Sequence, residues 1–128
     1  RLAAELDVAI TVSSSEEVER IDAAGRAAGR QLEIHLKIDT GMGRLGVWHE
    51  EAHTLQAAIA AAPHLQLAGV FTHFASPDDD AAFTALQRQR FLAALDRFDV
   101  PRQLLDGVRR VIRGMGRAMV RLLHIGSG

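Results

Sequence analysis

The chain has 128 residues, 48% of them hydrophobic and 24% charged, with a formal net charge of -1. That length is about one domain with a modest core, and the composition excludes a disordered chain. The near-zero charge offers no global field for nucleic acid or a membrane surface, the absence of cysteine excludes disulfides and thiolate metal sites, and no apolar run reaches the ~18 residues of a membrane span.

In chain order, "DVAITVSS" (7–14) predicts a strand rich in β-branched residues. Ser14 and Glu17 then stand at capping-box spacing and open a helix with Val18, Ile21, Ala24 and Ala28 inward, ending near Gly29. "LEIHLKID" (32–39) alternates strictly, with Leu32, Ile34, Leu36 and Ile38 on one face and Glu33, His35, Lys37 and Asp39 on the other. An alanine-rich helix over 50–62 comes next, with Leu55 and Ile59 inward and Pro63 as its stop. "LQLAGVFTHF" (65–74) is the third strand. "SPDDD" caps a helix whose inward residues are expected to be Phe83, Leu86, Phe91, Ala94 and Leu95. A further helical stripe runs over 104–119, weakened by Gly107, Gly114 and Gly116, and "VRLLHIGSG" (120–128) is a fourth strand.

Strands alternating with helices imply crossovers onto a parallel sheet. An open doubly wound sheet and a (β/α)₈ barrel both produce that alternation. The second strand favours the barrel, because a strand sandwiched between two helix layers would be apolar on both faces. The expectation is an α/β chain forming part of a barrel, about four β/α units, or half of the ~250 residues typical of a complete one. The chain opens at Arg1 without an initiator methionine and closes just after an apolar run, which reads as a piece of a longer protein.

Several motifs compete for the chemistry. "GMGRLG" (41–46) fits the dinucleotide fingerprint by letter, but that fingerprint expects an acidic residue about 20 positions later. Residues 52–76 contain no Asp or Glu, and the preceding strand carries Lys37 and Asp39. No Lys-Ser/Thr pair stands after the glycines, so a P-loop is excluded too. "HEEAH" (49–53) fits a zinc motif by letter, with His49 and His53 as ligands and Glu50 as base. Both histidines should face away from Leu55 and Ile59, and no third ligand stands at a diagnostic spacing; the expectation is no metal. The arginine-rich segment 99–119 lacks interleaved aromatics and reads as a solvated helix, not a nucleic-acid surface.

The stretch "HLKIDTGMGRLGV" (35–47) resembles the K-x-D-T-G-M-x-R-x-G signature of alanine racemases, matching at Lys37, Asp39, Thr40, Gly41, Met42, Arg44 and Gly46. "LAGVFTHFAS" is similar to the family's G-x-x-T-H-F-A strand, "FTALQRQRF" to its next helix with Gln87 four before Phe91, and "TVSSSEEVERI" to an earlier passage. The resemblance covers roughly 7–98. It implies that residues 1–128 are the central part of a pyridoxal 5′-phosphate-binding barrel domain, without the start of the barrel or the C-terminal β domain. It further implies a cytoplasmic homodimer acting on a small amino acid, with alanine first and serine, lysine, ornithine or a broad set as alternatives. A non-catalytic carrier of the cofactor and a degenerate remnant remain different classes of reading.

The resemblance also assigns roles. Arg44 takes the position that reaches the cofactor's phenolic oxygen and the substrate carboxylate, tasks suited to a charged, forked guanidinium. Lys37, the single lysine, takes a position that is often carbamylated in the family, where the anion would hold Arg44; a plain structural lysine and a covalent anchor of the cofactor are the other readings. His73 corresponds to a histidine near the cofactor ring, against the alternative of a core histidine. Ser127 stands at the asparagine of the family's His-x-x-Asn-Ser and could still bind the phosphate. The family's two proton-transferring bases are a lysine near the start of the barrel and a tyrosine from the partner's second domain. This chain has no tyrosine, and Lys37 falls elsewhere, so the chain alone is expected to be inactive.

Overall fold

A computed structural model describes residues 10–41, 43, 45–73, 80–100, 102, 103, 105, 106, 110, 123 and 124. Arg44 and Ser127 lie outside these residues, as do Met42 and most of the expected last helix and strand.

Strand β1 (Ile10–Val12) leads into helix α1 (Ser15–Ala28). The Ser14 side chain accepts from the Glu17 backbone N–H at 3.2 Å and caps the helix as its spacing implied. Glu17 Oε1 in turn accepts from Ser13 Oγ at 2.9 Å, which ties the end of β1 to the first turn of α1. The inward stripe of α1 is Val18, Ile21 and Gly25, whereas Ala28, expected inward, is exposed. Gly25 takes the inward place because the chain crosses there closely: a Cβ on it would stand 2.9 Å from Cβ of His64.

Strand β2 (Leu32–Asp39) is the centre of the sheet, and its Leu32, Ile34, Leu36 and Ile38 are all buried. The short strand β3 (Val47–Trp48) pairs with its last two residues, Ile38 with Val47 and Asp39 with Trp48. Helix α2 (Ala52–Ala61) places Leu55 and Ile59 inward. Ala62 leaves it in an extended conformation, as the residue before a proline must. Strand β4 (Leu65–Phe71) pairs with the other side of β2, with a register shift between Ile34 and His35. Helix α3 (Ala81–Asp96) is capped by Asp80, whose carboxylate accepts from the Phe83 N–H at 2.9 Å. Described residues of 102–110 are helical, and β5 (Leu123–His124) closes the series.

The order β1-β2-β4 runs in sequence, with both pairings parallel and a helix in each connection. This sequential order is that of a barrel wall and equally that of one half of a doubly wound sheet. The last strand departs from expectation, since β5 pairs antiparallel to β4 through Gly69–His124 and Val70–Leu123. An edge strand offers backbone groups for pairing, and a two-residue segment such as Leu123–His124 can meet them in either direction. No helix among the described residues is long and apolar enough to cross a membrane.

Helix α3 revises the expected core most. Leu86 is 39% exposed, while Thr84 and Gln87 are buried with Phe91, Ala94 and Leu95. The true stripe is 84–87–91–94–95, a regular three-and-four spacing whose first half is polar. Phe91→Ala should therefore cost about 3–5 kcal/mol in a denaturant titration, and Leu86→Ala less than about 1 kcal/mol; equal costs would contradict this register.

Candidate functional site

Strands β2 and β4 are parallel and end side by side, so the residues just past them, Thr40 to Gly46 and Thr72 to His73, share one end of the sheet. In β/α barrels the carboxyl ends of the strands are where site residues gather.

The turn after β2 is built by Asp39. One carboxylate oxygen accepts from Gly41 N–H at 3.0 Å and from Gly43 N–H at 3.1 Å, winding the chain around that side chain. Gly41, Gly43 and Gly46 all have positive φ, of 143°, 71° and 124°. At Gly46 a Cβ would stand 3.0 Å from Asp39 N and 3.1 Å from Lys37 O, so only glycine lets the returning chain lie against β2. Gly41 is crowded from the other side, its Cβ position being 2.8 Å from Cζ of Phe83 on α3. A dinucleotide turn would send the chain into a helix N-terminus at this point. Here it enters β3, and the next helix begins only at Ala52. The three glycines therefore shape a tight loop that brings the chain back alongside β2, where β3 runs parallel to it.

Behind the turn lies a buried polar cluster that the sequence reading did not assign. Thr40 Oγ1 and Thr72 Oγ1 are 2.8 Å apart, joining the ends of β2 and β4. Gln87 Nε2 donates to Thr40 Oγ1 at 3.2 Å and to the main-chain carbonyl of His73 at 3.0 Å. One turn further along α3, Arg90 Nη1 donates to the Thr40 carbonyl at 2.9 Å, with its guanidinium 5.6 Å from the Trp48 ring centroid. Thr40, Thr72 and Gln87 are all buried. The available signal was the helical spacing of Thr84, Gln87 and Phe91, which a hydrophobicity reading passes over because two of the three are polar.

Lys37 is buried on β2, opposite Phe71 of β4, and no carboxylate of a described residue pairs with it. His73 comes just after β4, and its Nδ1 is buried without a hydrogen-bond partner among the described residues. These two candidates are brought to the same end of the sheet; Arg44 lies outside the described residues. His64 is structural: its N–H donates to Asp22 Oδ1 at 2.9 Å and its carbonyl accepts from Leu32 N–H at 2.8 Å, pinning the loop before β4 to α1 and β2. His35 is half-buried within β2.

The zinc motif does not form a helical pair. His49 and Glu50 lie in the turn before α2, and Glu51 is its N-cap residue, so Glu50 and Glu51 precede the first helical turn in which they were expected. His53 Nε2 accepts from Arg97 Nη2 at 3.1 Å. Among the described residues no group of three His, Cys, Asp or Glu side chains could hold a metal. Burial, and after it the nearby Arg90 guanidinium, lowers the His49 pKa below the ordinary 6.5, against the opposing pull of Glu50 and Asp39.

A family model described as "Alanine racemase, N-terminal domain" matches residues 1–108. The chain is 48% identical over 85 residues to an alanine racemase of Chlorobaculum tepidum, an overlap of 66% of this chain and 22% of that protein. An alanine racemase of Clostridium difficile 630, solved in complex with cycloserine, superposes with a TM-score of 0.71 and 28% identity over 74% of this chain and 27% of that one. A histidine racemase of Leuconostoc mesenteroides shares the fold alone, at a TM-score of 0.71 and 24% identity. The chain thus spans about a quarter of the length of the relatives it matches, and its fold is a portion of their α/β barrel.

Gly46→Ala should destabilise the protein by about 1–3 kcal/mol in urea, through a forbidden φ and a clash with β2 backbone, whereas Gly43→Ala, which faces open space, should cost no more than about 1 kcal/mol. The depressed His49 pKa means the unfolded chain takes up a proton there before the folded one. Stability should therefore fall as pH drops below 6.5, and His49→Gln should flatten that part of a stability-against-pH curve.

Proposed function

This chain belongs to the alanine racemase N-terminal domain family, and on that premise we propose that it is the central part of a pyridoxal 5′-phosphate-binding barrel domain in a racemase interconverting L- and D-alanine. The observation that carries the reading is the Asp39-bound glycine turn at the end of β2, set beside His73 at the end of β4. The residues present suit the cofactor. His73 offers a buried ring nitrogen with no hydrogen-bond partner among the described residues, and Lys37 a buried amine with no carboxylate of a described residue against it.

In this reading His73 and Ser127 would hold the cofactor, His73 at its ring and Ser127 at its phosphate. Arg44 would receive the substrate carboxylate and the cofactor's phenolic oxygen through its forked donors. Lys37 would orient Arg44: as a carbamate it would attract the guanidinium, and as an ammonium it would repel it. The bound cofactor supplies the electron sink that makes the substrate α-proton acidic. The two groups that move this proton are expected outside the 128 residues, which contain no tyrosine and a single lysine already placed at position 37. The full protein is proposed to be a cytoplasmic homodimer supplying D-alanine for peptidoglycan, and this chain by itself to be inactive.

Incubating the full-length protein with pyridoxal phosphate and L-alanine should yield D-alanine on chiral chromatography, and Arg44→Ala should lower the rate on the order of a hundredfold or more. A cofactor absorbance band without D-alanine would point to another amino acid or to a carrier. Absence of both would overturn the reading.

A further inference from the structure

Resting on the racemase reading, we propose that Gln87 is a positioning residue for the reaction. From the outer helix α3, its side-chain amide fixes the His73 main chain and the base of the arginine-bearing turn relative to each other.

The amide has only one workable orientation. The His73 carbonyl oxygen can only accept, so the group facing it at 3.0 Å must be the NH₂ and not the amide oxygen. The same NH₂ meets Thr40 Oγ1 at 3.2 Å, so its two hydrogens go to the ends of two different strands. Thr40 is joined to Thr72 at 2.8 Å, and Arg90 holds the Thr40 carbonyl at 2.9 Å from one turn further along α3. Through these contacts α3 spans β2 and β4 where both strands end. Directly beyond Thr40 comes Gly41, packed against Phe83 of the same helix, and then the turn with position 44.

Stability alone does not call for an amide here. Gln87 is fully buried at the head of a stripe continued by Phe91, Ala94 and Leu95, where an apolar side chain would avoid the cost of desolvation. What an apolar residue could not do is hold the His73 carbonyl and the Thr40 hydroxyl at fixed separation. A small displacement at this level moves a ring beside His73 relative to a carboxylate held by Arg44, and misplacement near 1 Å can cost about a hundredfold in rate.

The test uses the full-length protein with bound pyridoxal phosphate. Gln87→Leu removes both donors, and Thr72→Val removes one link of the chain from the strand side while leaving α3 unaltered. Each is expected to lower kcat for alanine about tenfold or more and to shift the visible absorption of the bound cofactor, with far-UV circular dichroism unchanged at the assay temperature. Gln87→Glu keeps the shape but adds a titration. Its neutral carboxyl can still donate to the His73 carbonyl and its ionised form cannot, so its kcat relative to wild type should fall as pH rises. Should Gln87→Leu fail to fold, Thr72→Val and Gln87→Glu carry the decision. Folded variants with kcat and spectrum within about twofold of wild type would overturn the role of Gln87 while leaving the racemase reading standing. A wild-type protein that neither binds the cofactor nor racemises alanine overturns the racemase reading, and this inference with it.

Discussion

A buried side-chain amide must find partners or cost the fold about 1–3 kcal/mol for each group left unsatisfied, and Gln87 meets that constraint at the ends of two strands. Its hydrogen bonds to Thr40 and His73 make α3 more than an apolar cover over the sheet. The lower half of the helix packs by area, through Phe91, Ala94 and Leu95. The upper half packs by direction, and direction is what a site at the carboxyl ends of β strands requires. Arg90 extends the same arrangement outward, joining the Thr40 carbonyl to the Trp48 ring and contributing to the depressed pKa of His49.

The glycine turn shows how one string of letters can serve two physical ends. In a dinucleotide fold, three glycines bring backbone close to a pyrophosphate at a helix N-terminus. Here they let Asp39 gather two N–H groups and let the returning chain lie on β2, so near that a Cβ at position 46 would press on the strand's own backbone. The two cases differ in the elements after the glycines, here β3 and then a late helix, and in the polar residues of the strand before them.

The sheet has the order of a barrel wall at β1, β2 and β4 and loses it at β5, whose two-residue antiparallel pairing caps an edge. A wall of three parallel strands closes only with the neighbouring strands of a complete barrel. The chain's span of about a quarter of the relatives it matches agrees with that picture.

Much of this was legible in the sequence. The period-2 alternation of 32–39 placed β2 and its buried face, because a strand's side chains have no other choice. Ser14, the SPDDD run that ends at Asp80, and Pro63 marked helix limits through local capping and steric rules, and the turn motif and His73 stood out as candidate site residues. Tertiary structure decided the rest. Gln87, Thr40 and Thr72 carry no hydrophobic signal, so their burial depends on each finding the others across 32 and 47 positions of chain. Gly25 faces inward in place of Ala28 because the loop at His64 crosses there, and β3 exists only because Gly46 allows the chain to touch β2. Local pattern fixes which face of an element is apolar; which polar groups can join it is settled only when their partners arrive from elsewhere in the fold.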